Sequence, residues 1–116
     1  MPDLGQSAPD FTLPTNGGGT FTLSEQSKAV VLYFYPKDDT PGCTKEAIAF
    51  TEHLAEFEAA GAIVVGASKD TAAKHDKFIA KHDLAVTLVS DAEGTMCEDY
   101  GVWVEKNMYG KTYMGI

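Results

Sequence analysis

The chain contains no arginine. All nine of its basic residues are lysine, set against seventeen Asp and Glu, and the formal net charge is −8. A balance of that sign disfavours nucleic acid and anionic membrane surfaces as partners, because both need basic side chains to neutralise phosphate. Long apolar runs are absent as well: nothing approaches the ~20 consecutive apolar residues of a membrane span. The opening Met1-Pro2-Asp3-Leu4-Gly5-Gln6 has neither the basic nor the apolar region of a signal peptide, so a soluble, cytoplasmic protein is expected. Cysteine is scarce, with only Cys43 and Cys97. Two cysteines cannot build a secreted disulfide scaffold, and in a reducing compartment they rest as thiols. Thr44-Lys45-Glu46 follow Cys43, which excludes a Cys-x-x-Cys dithiol exchanger. The cysteines and scattered histidines also lack the clustered spacing of a zinc site.

What is present reads as one α/β domain over residues 1–116, with an ordinary apolar fraction of 44%. Phe11-Thr12-Leu13 and Thr20-Phe21-Thr22-Leu23 flank the turn Gly17-Gly18-Gly19 and predict an N-terminal β-hairpin. Val30 to Tyr35 is an unbroken run of β-formers, as in a strand covered on both faces, and Pro36 ends it. Thr40 as N-cap and Pro41 at the first helical position predict a helix to about Ala60, with Ala47, Phe50, Leu54 and Phe57 as its apolar stripe and Gly61 as its stop. A second buried strand is predicted over Ala62 to Ala67. A helix capped by Asp70 or Thr71 follows to about His82, then a third strand over Ala85 to Val89 and a short helix over Thr95 to Tyr100. Strands alternating with helices imply parallel crossovers. The segment from Val102 onward is less regular, with a strand beginning at Tyr113.

Chemistry concentrates at Cys43. With Thr40 at the N-cap, Cys43 falls at the third helical position, among backbone N–H groups that have no intrahelical partner and carry the positive end of the macrodipole. A thiolate is favoured there, and the Thr40 hydroxyl is expected to bond the Cys43 amide or sulfur. Pro36 and Pro41 are expected to stiffen and shield the site. A thiolate so placed attacks the peroxide O–O bond and becomes a sulfenic acid. A cysteine hydrolase would need a histidine base; His53 lies nearly three turns along the same helix, and His75 and His82 sit among Lys and Asp and read as solvated. Cys97, with Met96 and Tyr100, forms a short apolar face and reads as packing.

The segment Tyr35-Pro36-Lys37-Asp38-Asp39-Thr40-Pro41-Gly42-Cys43-Thr44-Lys45-Glu46 closely resembles the active-site stretch of the peroxiredoxins, in the subgroup called bacterioferritin comigratory protein or peroxiredoxin Q. Gly5 to Phe11, Tyr100 to Trp103 and Met108 to Ile116 resemble other family signatures, so the likeness spans essentially the whole chain. The resemblance implies a thioredoxin-like fold with the N-terminal β-hairpin and a thiol-dependent peroxidase acting on hydrogen peroxide and organic hydroperoxides. Cys43 would be the peroxidatic nucleophile, Thr40 would bond the peroxide, Pro36 would shield the site, and Glu46 would orient a catalytic arginine. Thioredoxin or another small thiol would be the reductant, with no metal or organic cofactor.

The sequence departs from the family at two points. Ile48 stands where many members carry a resolving cysteine, and the region around Ile79 has none either, so a one-cysteine cycle with an external thiol is expected. The family's arginine and its closing strands and helix would follow Ile116. The chain as given is therefore expected to be a truncated form of weak activity, with an exposed sheet edge open to self-association. Lys37 or Lys45 can supply charge, but lysine lacks the planar fork of arginine. A non-enzymatic interaction module or single-thiol redox sensor is the alternative reading.

Overall fold

A computed structural model describes residues 3–116, except for the side chain of Met108; Met1 and Pro2 of the opening segment lie outside the described residues. Strands β1 (Thr12–Pro14) and β2 (Thr20–Thr22) pair antiparallel, with Leu13 opposite Phe21, and form the expected hairpin. Gly17 and Gly18 both take φ +80, a left-handed conformation that side-chain-bearing residues resist. Then come β3 (Ala29–Phe34), α1 (Pro41–Glu52), α2 (Leu54–Ala59), β4 (Ala62–Ser68), α3 (Ala72–His82), β5 (Thr87–Ser90) and α4 (Met96–Asp99). The hairpin β6 (Val104–Met108) and β7 (Lys111–Gly115) closes the chain. No helix among the described residues is long and apolar enough to cross a membrane.

The central sheet is parallel, in the order β3-β4-β5, with Val31 beside Val64 and Ala67 beside Val89. Alternating side chains split the core between its two faces. Val30, Leu32, Phe34, Val65, Ala67 and Val89 pack with Phe11 and Phe21 of the hairpin region and with Met96 and Tyr100 of α4. Val31, Tyr33, Tyr35, Val64 and Leu88 pack with Ala47, Phe50, Leu54 and Phe57 of α1 and α2 and with Phe78 of α3. The run Val30 to Tyr35 thus serves both faces, as its unbroken apolar character implies. Among the described residues no strand pairs with the outer side of β3, so the expected exposed edge is present there.

Three expectations need correction. The helix expected to reach Ala60 breaks at His53 (φ −104, ψ 7), whose N–H is shared between the carbonyls of Ala49 and Phe50. The break re-aims the last turn, so that Leu54 and Phe57 meet the sheet alongside Phe50. The third strand starts at Thr87, because the Ala85 N–H is taken by the Thr51 hydroxyl. The tail is a regular hairpin, turned by Tyr109 and Gly110 at φ 52 and 77, the pair of positive φ values that a two-residue type I′ turn requires.

Gly66 marks the closest approach of β4 to its neighbours. A Cβ at this position would lie 2.6 Å from the Tyr33 ring and 2.8 Å from Leu88. Gly66→Ala is therefore expected to destabilise the fold by about 1–3 kcal/mol, read as a lowered urea midpoint at unchanged slope.

Candidate active site

The sequence leaves β3 at Phe34, crosses Tyr35-Pro36-Lys37-Asp38-Asp39-Thr40 and enters α1 at Pro41. Thr40 is extended (φ −91, ψ 152) and is the N-cap; Pro41 follows, where its missing N–H costs nothing. The Thr44 N–H donates to the Thr40 carbonyl at 2.8 Å and closes the first turn. Among the described residues the amides of Gly42 and Cys43 have no partner. Cys43 sits at the third helical position as the sequence predicts, half-buried and packed against the cluster that contains Tyr33 and Phe50. Its sulfur stands at a positive helix end, beside the carboxyl ends of three parallel strands, where α/β sheets place their sites.

The loop before α1 is held from below by a buried polar network. Asp38 accepts from the Tyr35 hydroxyl at 2.5 Å and meets Nδ1 of His75 at 2.6 Å. The Asp38 N–H donates to Asp70 at 2.8 Å, and Asp70 also accepts from the Ser68 hydroxyl. Nε2 of His75 lies 3.0 Å from the Val89 carbonyl. Asp39 takes a left-handed φ of 61, and its carboxylate meets His82 at 2.8 Å and Lys81 at 2.7 Å. Those two partners hold the Asp39 carboxyl below the usual carboxylate range. Burial, together with the Asp38 carboxylate, pushes the Tyr35 phenol well above its ordinary value, so it stays a hydroxyl and a donor. The Tyr33 phenol is raised too, chiefly by burial and then by Glu46, Asp38 and Cys43; its oxygen is buried without a partner among the described residues.

The residues singled out from sequence fare unequally. The Thr40 hydroxyl does not bond Cys43: it donates to the Lys37 carbonyl at 2.9 Å, because the left-handed turn at Asp39 folds the loop back over Thr40. Pro36 and Pro41 flank the loop and are both exposed. Glu46 is exposed on α1 and makes no ion pair among the described residues. His75 is not solvated: it is buried at 0% exposure, facing the Asp38 loop, while His82 is on Asp39 and His53 is on Glu56. No histidine contacts Cys43 in a base-like pair among the described residues. The network of Tyr35, Asp38, Asp70 and His75 escaped the sequence reading. Its one signal there is the spacing of His75 and Phe78, which share a face of α3.

Cys97 lies on α4, across the sheet from α1, and is completely buried. Its N–H donates to the Asp91 carboxylate at 2.9 Å, with the Met96 N–H adding a second bond, so Asp91 serves as the cap of α4. Burial, then the Asp91 carboxylate, pushes the Cys97 thiol up to about 12. Cys97 thus packs as a neutral, buried thiol in this structure.

The AhpC/TSA family profile matches residues 4–114. A Coxiella burnetii peroxiredoxin bcp is 51% identical over 115 residues, which is 98% of this chain and 76% of that protein. The Bacillus subtilis peroxiredoxin Bcp is 45% identical over 98% of this chain and 73% of its own length. The chain belongs to the AhpC/TSA family. The Bcp type of peroxiredoxin is also its structural likeness: a Xanthomonas campestris bacterioferritin comigratory protein, solved for insight into alkyl peroxide reduction, superposes with a TM-score of 0.84 at 45% identity. That match covers 91% of this chain and 68% of the other. A Plasmodium vivax 2-Cys peroxiredoxin shares the fold at 28% identity and a TM-score of 0.79. The fold is accordingly the thioredoxin-like α/β fold of the peroxiredoxins, and the chemistry of this peroxiredoxin is that of a thiol-dependent peroxidase, with a peroxide as substrate and a thiol as reductant.

Two outcomes are expected at the Cys97 end of the molecule. Cys97→Ala is expected to leave peroxide consumption unchanged while lowering stability by about 1 kcal/mol, read together by turnover and thermal melt. Burial would raise the Asp91 carboxyl, but hydrogen bonds from the Cys97 N–H and Lys69 outweigh it and hold it below its usual value. Its stabilisation is therefore present above the unfolded value of about 4 and is lost as pH falls through the lower folded value. Asp91→Asn is expected to cost about 2–3 kcal/mol at neutral pH, with the gap from the parent chain closing below about pH 4 in denaturant titrations.

Proposed function

We propose that residues 1–116 act as one domain in which Cys43 is the peroxidatic nucleophile, served by Thr40, Pro36 and Glu46. The observation that carries this reading is the position of Cys43: the third residue of a helix whose first amides are free, at the carboxyl end of the sheet. The Cys43 thiolate attacks one oxygen of a hydroperoxide. The O–O bond breaks, the sulfur is oxidised to a sulfenic acid, and the departing alkoxide or hydroxide leaves as alcohol or water after taking a proton. The free amides of Gly42 and Cys43 can donate to the oxygen that gains charge. Thr40, already donating to the Lys37 carbonyl, presents lone pairs that can accept the hydroperoxide's own O–H. Pro36 fixes the loop geometry, and Glu46 sets the charge of the rim one helical turn beyond the sulfur.

The sulfenic acid then condenses with an external thiol, forming a mixed disulfide and releasing water. A second thiol frees Cys43 and leaves the reductant as a disulfide. An external donor, thioredoxin or a small thiol, suits a chain whose other cysteine is buried behind the sheet. Each step balances with peroxide and thiols alone. Both cysteines are free thiols, as a reducing cytoplasm would keep them.

One observation favours a second reading: among the described residues no strand pairs with the outer side of β3. A domain that self-associates through β3, or serves as an interaction module or single-thiol sensor, fits that open edge.

Cys43→Ser is expected to reduce thiol-dependent hydrogen peroxide consumption to the rate of free thiol in buffer. Retained turnover in that variant removes the assignment. Turnover by a monomeric parent chain well above free thiol discards the second reading.

A further inference from the structure

The three polar atoms around His75 leave little freedom in where its protons lie. Nε2 faces only the Val89 carbonyl, at 3.0 Å, and a carbonyl oxygen can only accept; Nε2 therefore carries a proton. Nδ1 faces Asp38 at 2.6 Å, a contact that needs one further proton shared along that line. The Tyr35 hydroxyl occupies the other Asp38 oxygen. Every polar atom of the imidazole is thus paired, on a side chain with no solvent exposure. None of these contacts supports α3 itself, which is already capped by Thr71. They tie α3 and β5 to the single loop that carries Pro36, Thr40 and the start of α1.

We propose that His75 is a positioning residue for the peroxidase reaction: acting through Asp38, it clamps the loop that sets Thr40 and the mouth of α1 relative to the Cys43 sulfur. This rests on the reading of Cys43 as the nucleophile. The clamp has three points. His75 holds the Asp38 side chain, Asp70 holds the Asp38 N–H at 2.8 Å, and Lys81 with His82 holds Asp39. The first two are buried, so loss of a partner there leaves a buried polar group unpaired, whereas the third is exposed. Without the first the loop gains freedom to turn Thr40 away from an incoming hydroperoxide, while the sulfur keeps its place on α1. A misplacement on the order of 1 Å in such a positioning group costs up to about a hundredfold in rate.

The test compares His75→Phe, Asp38→Leu and Asp38→Asn with the parent chain, each first shown to be folded by circular dichroism. Asparagine at position 38 can still accept from Tyr35 and donate to Nδ1 of a neutral His75, so it keeps the geometry. Two rates are read at Cys43, with hydrogen peroxide and with iodoacetamide, and amide hydrogen exchange is followed across residues 38–44. His75→Phe and Asp38→Leu are expected to slow the peroxide reaction by about tenfold or more while alkylation stays within about threefold. They should also speed exchange at Asp38 with the sheet unchanged, and Asp38→Asn should stay near the parent in all three. Unchanged exchange in His75→Phe, peroxide and alkylation rates that fall together, or an Asp38→Asn as impaired as Asp38→Leu each overturns the clamp. A parent chain that reacts with peroxide no faster than free cysteine removes the proposed function instead, and exchange alone then decides the clamp.

Discussion

Asp38 and His75 are buried against each other at the carboxyl end of the sheet, and that contact anchors the loop between β3 and α1. Taking either group out of water alone costs several kcal/mol, so each is tolerated only because the other is 2.6 Å away and every remaining polar atom is paired. The contact joins a loop residue to a helix thirty-seven positions further along the chain. The same imidazole reaches β5, where the Val89 carbonyl takes its far side. The loop is therefore tied to both α3 and β5. Local turn preference contributes the left-handed Asp39, which lysine and histidine of α3 then hold.

The two faces of the sheet carry different duties. On one, α1 and α2 bring Cys43 over the ends of the strands, with its helix start open to solvent. On the other, Asp91 is a buried carboxylate that caps α4, pairs with Lys69 at 3.1 Å and keeps Cys97 protonated. The same residue type thus has opposite fates: one cysteine meets free amides and a polar loop, the other meets a carboxylate in a dry pocket. The two parallel crossovers, through α1–α2 and through α3, both return over the Cys43 face, while α4, which follows β5, packs on the other.

Among the described residues β3 has no strand on its outer side. The strand is apolar throughout, from Val30 to Phe34, with no charge, proline or bulge to protect its free side. The positive field at Cys43 rests on backbone amides, with Lys37 and Lys45 as exposed point charges. The Bcp relatives are longer than the matched region, which makes up 76% of the Coxiella burnetii protein and 73% of the Bacillus subtilis one.

By itself the sequence determined what depends on neighbours along the chain. The hairpin around Gly17-Gly18, the strands read from Val30 and from Ala62, the helix capped at Asp70 or Thr71, and Cys43 at the third position after Thr40 all follow from caps, turns and periodicity acting within a few residues. The motif around Cys43 carried the family as well. Tertiary structure decided what depends on partners far away: the burial of His75 against Asp38 and Val89, the Ala85 N–H taken by Thr51, and the burial of Cys97 on the face away from α1. A histidine among Lys and Asp reads as solvated because local polarity is all that a sequence window can register. Whether it ends in water or against a carboxylate is fixed by which face of α3 the sheet covers, and that is settled only when the strands pair.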